Sequence, residues 1–311
     1  MPIHSSIKAR VVADYGAEYL VDDGASTWRA HARRCDPAVG DWVVLDGVFI
    51  TEVLPRRTVF ARRAAGDENV QQVLAANVDV VFVVAAATDV NTRRLERYLT
   101  IAWQSGATPV VVLTKTDLVE EVQPPAVAAP VIATSTVSGE GIEAIERELQ
   151  PAKTAVMLGP SGVGKSTLIN ALVGTEVMRT REVHGASGEG RHMTSHRQLV
   201  SLPCGGAIID TPGLREAQLW EGEDALGEVF EDIEKLALEC RFNDCAHQTE
   251  PGCAIKAALA GGTLDAGRFA SYRKLQREVR AIALRSDARL RIEDRKKWKR
   301  LITDARSRAR P

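Results

Sequence analysis

From Val80 onward the apolar positions stop alternating and run together. VDVVFVVAA, TPVVVLTKTD, APVIATST, TAVMLGPSG and GGAIIDTPG are continuous β-branched stretches, as in strands covered on both faces. NTRRLERYLTIAWQSG and GIEAIERELQ lie between them and read as helices. That alternation predicts a parallel sheet with helices on both sides. The N-terminal part has a different texture. IKARVVADYG, EYLVDDG, STWRAHARR and GDWVVLDGVFITEVLP are short β-like runs broken by turn residues, which predicts a small closed barrel. PRRTVFARRAAGDENVQQVLAANVD reads as an Arg-rich polar connector. Beyond about Trp220 the chain is helical and charged, interrupted by a cluster of cysteines. The predicted domains are 1–65, 66–219 and 220–311.

Composition refines this picture. The net charge of -1 hides an uneven distribution, because residues 291–311 hold nine Arg or Lys against three acids. Such a tail suits a polyanion or a solvated helix face. No apolar run is long enough to span a bilayer, and MPIHSSIKAR lacks the apolar core of a signal peptide. A cytoplasmic protein is therefore expected, with its five cysteines as thiols or metal ligands. In WRAHARR, Arg29, His31 and Arg33 share one strand face. Both a solvated face and a nucleic-acid-binding barrel surface fit it.

The phosphate-binding chemistry is explicit. Gly159-Pro160-Ser161-Gly162-Val163-Gly164-Lys165-Ser166-Thr167 follows a buried run and opens a helix, the context in which G-x-x-x-x-G-K-[ST] wraps a triphosphate. The glycines let backbone N–H groups face the phosphates, Lys165 reaches the β- and γ-phosphates, and the Ser166 hydroxyl meets Mg²⁺. AIIDTPG then ends a strand at Asp210, placed to hold Mg²⁺ through water, with the Gly213 N–H beneath the γ-phosphate. Between them, HGASGEGRHMTSHRQL has neither helical nor strand period, as expected of a switch loop. Thr194 is the candidate Mg²⁺ hydroxyl, ahead of Thr180 and Ser195.

The base follows from Thr114-Lys115-Thr116-Asp117 at the end of another buried strand. An Asp carboxylate there accepts from guanine N1 and N2, which adenine cannot match, and the Lys stem covers the ring. Ser135 ends the next strand, where a loop can meet the guanine carbonyl. A chance T-K-x-D is the competing reading, and both segments stand upstream of the phosphate loop instead of downstream. Joining the termini of a compact domain and opening another surface loop preserves every buried contact. A GTPase treated this way would show the order found here. Leu214 follows Gly213 where Ras-like enzymes place a water-orienting Gln, so His192 is the candidate for that role; a His contacting RNA or solvent is the alternative.

Cys240, Cys245, His247 and Cys253 fall within CRFNDCAHQTEPGC. Three thiolates and one imidazole make a closed tetrahedral set, the signature of structural zinc. Phe269, Tyr272, Leu275, Val279 and Ile282 keep helical spacing and should pack against that loop.

Together these motifs resemble the circularly permuted GTPases of the RsgA, or YjeQ, family. The resemblance covers essentially the whole chain and implies an oligonucleotide-binding (OB-type) barrel, a permuted α/β P-loop GTPase domain and a helical zinc-binding domain. It also implies GTP hydrolysis to GDP stimulated by the small (30S) ribosomal subunit in late maturation, with 16S rRNA as partner; a monomer is expected. Its switch-loop His coincides with His192, and its zinc pattern with the Cys/His spacing here. Thr114 departs from the commoner Asn, and Met193 from an expected Thr. The rival functions are a small-molecule kinase or ATPase, and an RNA-binding scaffold without significant turnover.

Overall fold

The computed structural model describes residues 7–64, 67–175, 197–210, 224–286 and 290–292. The chain divides into two compact units, Met1–Gln218 and Leu219–Pro311.

The first unit opens with five strands, β1 (Ile7–Asp14), β2 (Tyr19–Asp22), β3 (Thr27–Ala32), β4 (Trp42–Asp46) and β5 (Phe49–Val53). They close in the order β1-β2-β3-β5-β4-β1, with only β3–β5 parallel. Alternation decides the interior: Ala9, Val11, Val21, Ala30, Val43, Leu45 and Ile50 point inward and are fully buried. This is the expected barrel. The segment read as a connector instead forms an antiparallel hairpin of β6 (Val59–Ala64) and β7 (Asp67–Ala76). Its apolar content is too sparse to announce a strand pair, and the ladder bonds that make it are invisible to composition.

The parallel sheet follows, built from β8 (Val80–Ala86), α1 (Thr92–Gln104), β9 (Thr108–Thr114), β10 (Val131–Ala133), α2 (Ile142–Glu148), β11 (Thr154–Leu158), α3 (Lys165–Val173), β12 (Arg197–Ser201) and β13 (Ala207–Asp210). Strand order is β10-β9-β8-β11-β13-β12, and β12 alone among these runs antiparallel. Every residue of β8 and β11 is buried, the reason their sequences show no alternation. Phe82, Val84, Val112, Met157, Leu168 and Ile208 pack together in the core of this sheet. If β11 is counted as the first strand and the chain is read cyclically, the sheet order becomes 6-5-4-1-3-2. The switch of direction then falls between strands one and four, beside the phosphate loop. The sheet is thus a doubly wound fold whose chain begins in its middle.

Barrel and sheet are continuous. The end of β1 pairs with the outer edge of β12, which merges them into one eleven-stranded sheet. Gly40 fits against this junction with φ +95°, where a Cβ would lie 2.1 Å from the Ala76 carbonyl oxygen. The Asn77 amide donates to the Gly40 carbonyl at 3.1 Å, and Arg10 donates to Thr154 Oγ1 at 2.8 Å. Asp41, wholly buried, is held by two Arg56 hydrogen bonds of 2.8 and 2.7 Å, so its charge has a close partner.

The second unit contains α4 (Asp224–Val229), α5 (Glu231–Leu238), α6 (Ala254–Ala260) and α7 (Ala266–Ser286). The expected stripe on α7 is present: Tyr272, Leu275 and Val279 are buried, and Ile282 is half-buried. Tyr272 meets Phe230 edge-on at 5.4 Å between ring centroids and stacks with Phe269 at 6.3 Å.

Candidate functional site

Parallel strands deliver their C-terminal ends to one edge of the sheet. β8 lies between β9 and β11 in it, so the segments after β9 and β11 emerge at the same edge on either side of β8. Gly159 makes the exit from β11 possible: a Cβ there would lie 2.3 Å from the Val84 carbonyl oxygen. The loop then turns through positive φ at Gly162 and Gly164, and Gly164 caps α3. Ser161 and Thr167 are exposed, Pro160 and Ser166 half-buried, and Ser166 lies in the first turn of α3. Lys165 Nζ folds across the loop and donates to the carbonyls of Gly159 and Pro160 at 2.7 and 2.6 Å.

Thr114 and Lys115 bridge the two segments. The buried Thr114 hydroxyl lies 2.5 Å from the Val163 carbonyl and 3.2 Å from that of Ala85. Having one proton, it donates to the nearer, Val163. Lys115 adopts a left-handed backbone and donates from Nζ to the Gly162 carbonyl at 2.9 Å. Thr116 and Asp117 begin the short 3₁₀ turn Thr116–Leu118. Asp117 is exposed, and its Oδ1 accepts from the buried Ser135 hydroxyl at 2.5 Å. Ser135 Oγ in turn accepts from the N–H groups of Val137 and Ser138. Ser135, expected to serve a base loop through its backbone, also fixes the Asp117 carboxylate with its side chain. A Ser followed by small or polar residues at a strand end was the available signal.

Asp210 stands at the C-terminal end of β13, adjacent to β11. Its carboxylate, the Ser166 hydroxyl and the loop glycines thus share the edge that carries Asp117, and oxygen donors of this kind suit Mg²⁺. His192, Thr194, Met193 and Gly213 lie outside the described residues, as do the alternatives Thr180 and Ser195.

In the second unit the four expected ligands converge, their donor atoms all within 4.8 Å of one another. Tetrahedral zinc with ordinary bond lengths spaces two sulfurs by about 3.8 Å and a sulfur from a nitrogen by about 3.5 Å. Cys240 and Cys253 Sγ are 3.9 Å apart, and His247 Nδ1 lies 3.6 and 3.4 Å from them. The donor set fits zinc. Burial is the main cause lowering the His247 pKa, and it favours the neutral ring that a metal needs. His247 has φ 60° and packs edge-on against Phe269 at 6.3 Å.

Glu250 was missed by motif reading. Its carboxylate accepts from the N–H groups of Ala246, Gln248 and Thr249 at 2.8–3.0 Å. Backbone donors, its own included, bring its pKa down to about 2. It organises the turn between two of the expected ligands, His247 and Cys253. No described helix is long and apolar enough to cross a membrane.

The family model for RsgA GTPase matches residues 53–220. The small ribosomal subunit biogenesis GTPase RsgA of Opitutus terrae is 48% identical over 301 residues, covering 89% of this chain and 82% of the relative. The RsgA of Streptomyces avermitilis is 47% identical over 84% of this chain and 74% of its own. Among solved structures, YjeQ from Thermotoga maritima matches with a TM-score of 0.64 and 25% identity, covering 88% of this chain and 98% of that one. YloQ, described as a circularly permuted GTPase, matches in fold with a TM-score of 0.63 at 24% identity over 90% of this chain and 98% of its own.

Proposed function

We propose, for a chain that belongs to the RsgA GTPase family, that it hydrolyses GTP to GDP and phosphate in the biogenesis of the small ribosomal subunit. Thr114 and Lys115 carry this reading. They bond the base segment directly to the phosphate loop, at Val163 and Gly162, so one nucleotide can reach both Asp117 and Lys165.

In the proposed mechanism, guanine N1–H and the N2 amine donate to the Asp117 carboxylate, which Ser135 holds in place. The Lys115 stem lies along the ring. Loop N–H groups from Gly159 to Thr167, Pro160 excepted because it has none, face the phosphates, and Lys165 Nζ exchanges its two carbonyl partners for β- and γ-phosphate oxygens. Ser166 and Thr194 would hold Mg²⁺ directly and Asp210 through water; when bound, the ion neutralises charge building on those oxygens. The Gly213 N–H sits under the γ-phosphate. His192 orients the attacking water, since Leu214 cannot.

Cys240, Cys245, His247 and Cys253 hold one structural zinc ion. The barrel and the basic tail supply contacts to 16S rRNA. On the barrel, Arg29 and His31 are exposed, Arg29 lies over the Tyr15 ring and Arg33 over the Phe49 ring, at 5.7 and 5.9 Å, a surface suited to unpaired bases and phosphates. The protein works as a cytoplasmic monomer that meets the 30S subunit. The domain limits 1–65, 66–219 and 220–311 stand as proposed functional modules.

Turnover of GTP against ATP, with and without purified small subunits, tests the proposal. Acceleration of GTP hydrolysis alone is expected. Equal use of ATP, or indifference to the subunit, would overturn it.

A further inference from the structure

The sequence gives no reason to connect the barrel with catalysis. The sheet does. Ala13 in β1 faces Gln198 in β12, and Gln198 faces Asp210 in β13. One rung therefore runs from the barrel, across the edge strand, to the carboxylate that ends the Asp-x-x-Gly strand.

The next residue of β1 adds a side-chain link. Asp14 faces Arg197, and the Arg197 guanidinium sits 3.2 Å from Asp14 Oδ2. Both side chains are only 16% exposed, so the pair is less screened by solvent than an ordinary surface ion pair. Asp14 Oδ1 has a separate duty: it accepts from the Gly16 N–H at 2.8 Å and closes the β1–β2 turn. That turn carries Tyr15, exposed and covered by Arg29, which is itself paired with Glu18. A single carboxylate thus has one oxygen on the aromatic–cationic turn of the barrel and the other on the strand leading away from the switch segment. Arg197 is the first residue of β12 and stands a few positions beyond His192 and Thr194 in sequence.

We propose that Asp14 is a positioning residue for GTP hydrolysis. Through Arg197 it couples the barrel turn to β12 and Asp210, so that RNA seated on the barrel sets the rate at the nucleotide. The inference rests on the function proposed above, namely turnover accelerated by the small subunit. A two-state element biased from both ends would be the β1–β12–β13 ladder.

Asp14→Asn tests this with little disturbance, because the amide oxygen can still accept from Gly16 while the charge facing Arg197 is gone. The subunit-stimulated kcat, measured at saturating subunit, is expected to fall roughly 5- to 50-fold. Basal kcat, the KM for GTP and the melting temperature should stay at wild-type values. Arg197→Gln approaches the pair from the other strand and should give the same split. The double variant should be no worse than the more impaired single one, as a shared interaction requires. Wild-type stimulation in Asp14→Asn overturns the coupling. So does an equal loss in basal turnover, which would make Asp14 merely structural, or weaker subunit binding with an intact saturated rate, which would make it an RNA contact. A wild-type protein that small subunits fail to accelerate sinks the parent reading too; an accelerated wild type with an equally accelerated Asp14→Asn sinks only the coupling.

Discussion

The nucleotide edge of the sheet and the Cys/His loop of the second unit solve the same problem by different physics. Each must hold several polar groups at fixed spacing. At the nucleotide edge the work is done by burial beneath the site: β8 and β11 are wholly buried, and the loops above them are tied by hydroxyl and ammonium bonds to two carbonyls and one carboxylate. In the second unit, Cys240, Cys245 and His247 are only partly covered, and the loop between them is mostly exposed. Its backbone is tied by the Glu250 carboxylate, and in the function proposed above by a zinc ion on the four converging Cys and His side chains. A site resting on a core can tolerate loss of one tie, whereas a loop without a core depends on its metal.

The largest effect expected from this contrast is Cys240→Ala, or chelation of the metal. Apparent zinc-binding energies of about 10–16 kcal/mol in small domains are folding energies. The second unit should therefore lose its cooperative transition in calorimetry, with metal content falling in parallel, while GDP affinity is retained. Loss of nucleotide binding at the same step would erase the distinction between the regions.

Next comes Lys165→Ala, which removes the charge proposed to reach the phosphates and should lower kcat by about 10²–10³-fold with an unchanged melting temperature. Asp117→Asn sharpens the base side. An amide can donate to the second carbonyl of xanthine but cannot accept twice from guanine, so preference should move from GTP to xanthosine triphosphate in competition binding.

A smaller effect is expected at Thr114. Thr114→Val keeps the shape but strands the Val163 carbonyl, a penalty of about 1–3 kcal/mol. GDP should bind roughly 5- to 150-fold more weakly by titration calorimetry, and Thr114→Ser should restore most of it. Smallest is an acid effect in the second unit. Arg268 bonds bidentately to Asp232 at 2.9 and 2.7 Å and is the main cause holding that carboxyl below its ordinary value. A depressed folded pKa gives stability that is present above the unfolded value, about 4, and lost as pH falls through the folded one. Asp232→Asn should flatten the acid limb of the unit's melting curve, slightly, because Asp232 is half exposed.

Much of this molecule was legible in its residues. GPSGVGKST, TKTD and the Cys/His spacing specify chemistry through local rules: a positive-φ turn favours glycine, a triphosphate needs N–H groups and a cation, and a closed structural zinc site needs four thiolate or imidazole donors. The buried strands were also readable, since the absence of alternation in β8 and β11 is itself a signal. The β6–β7 hairpin was not, because its polar residues carry no period and only ladder bonds define it.

What the sequence settled alone was which groups exist and in which strand-end or loop each stands. Only tertiary structure decided which of them meet. Thr114 reaches Val163, Ser135 reaches Asp117, and Asp14 reaches Arg197 across separations of 49, 18 and 183 residues. Such contacts follow from strand order and register, which depend on the packing of every neighbour at once. No local pattern encodes them.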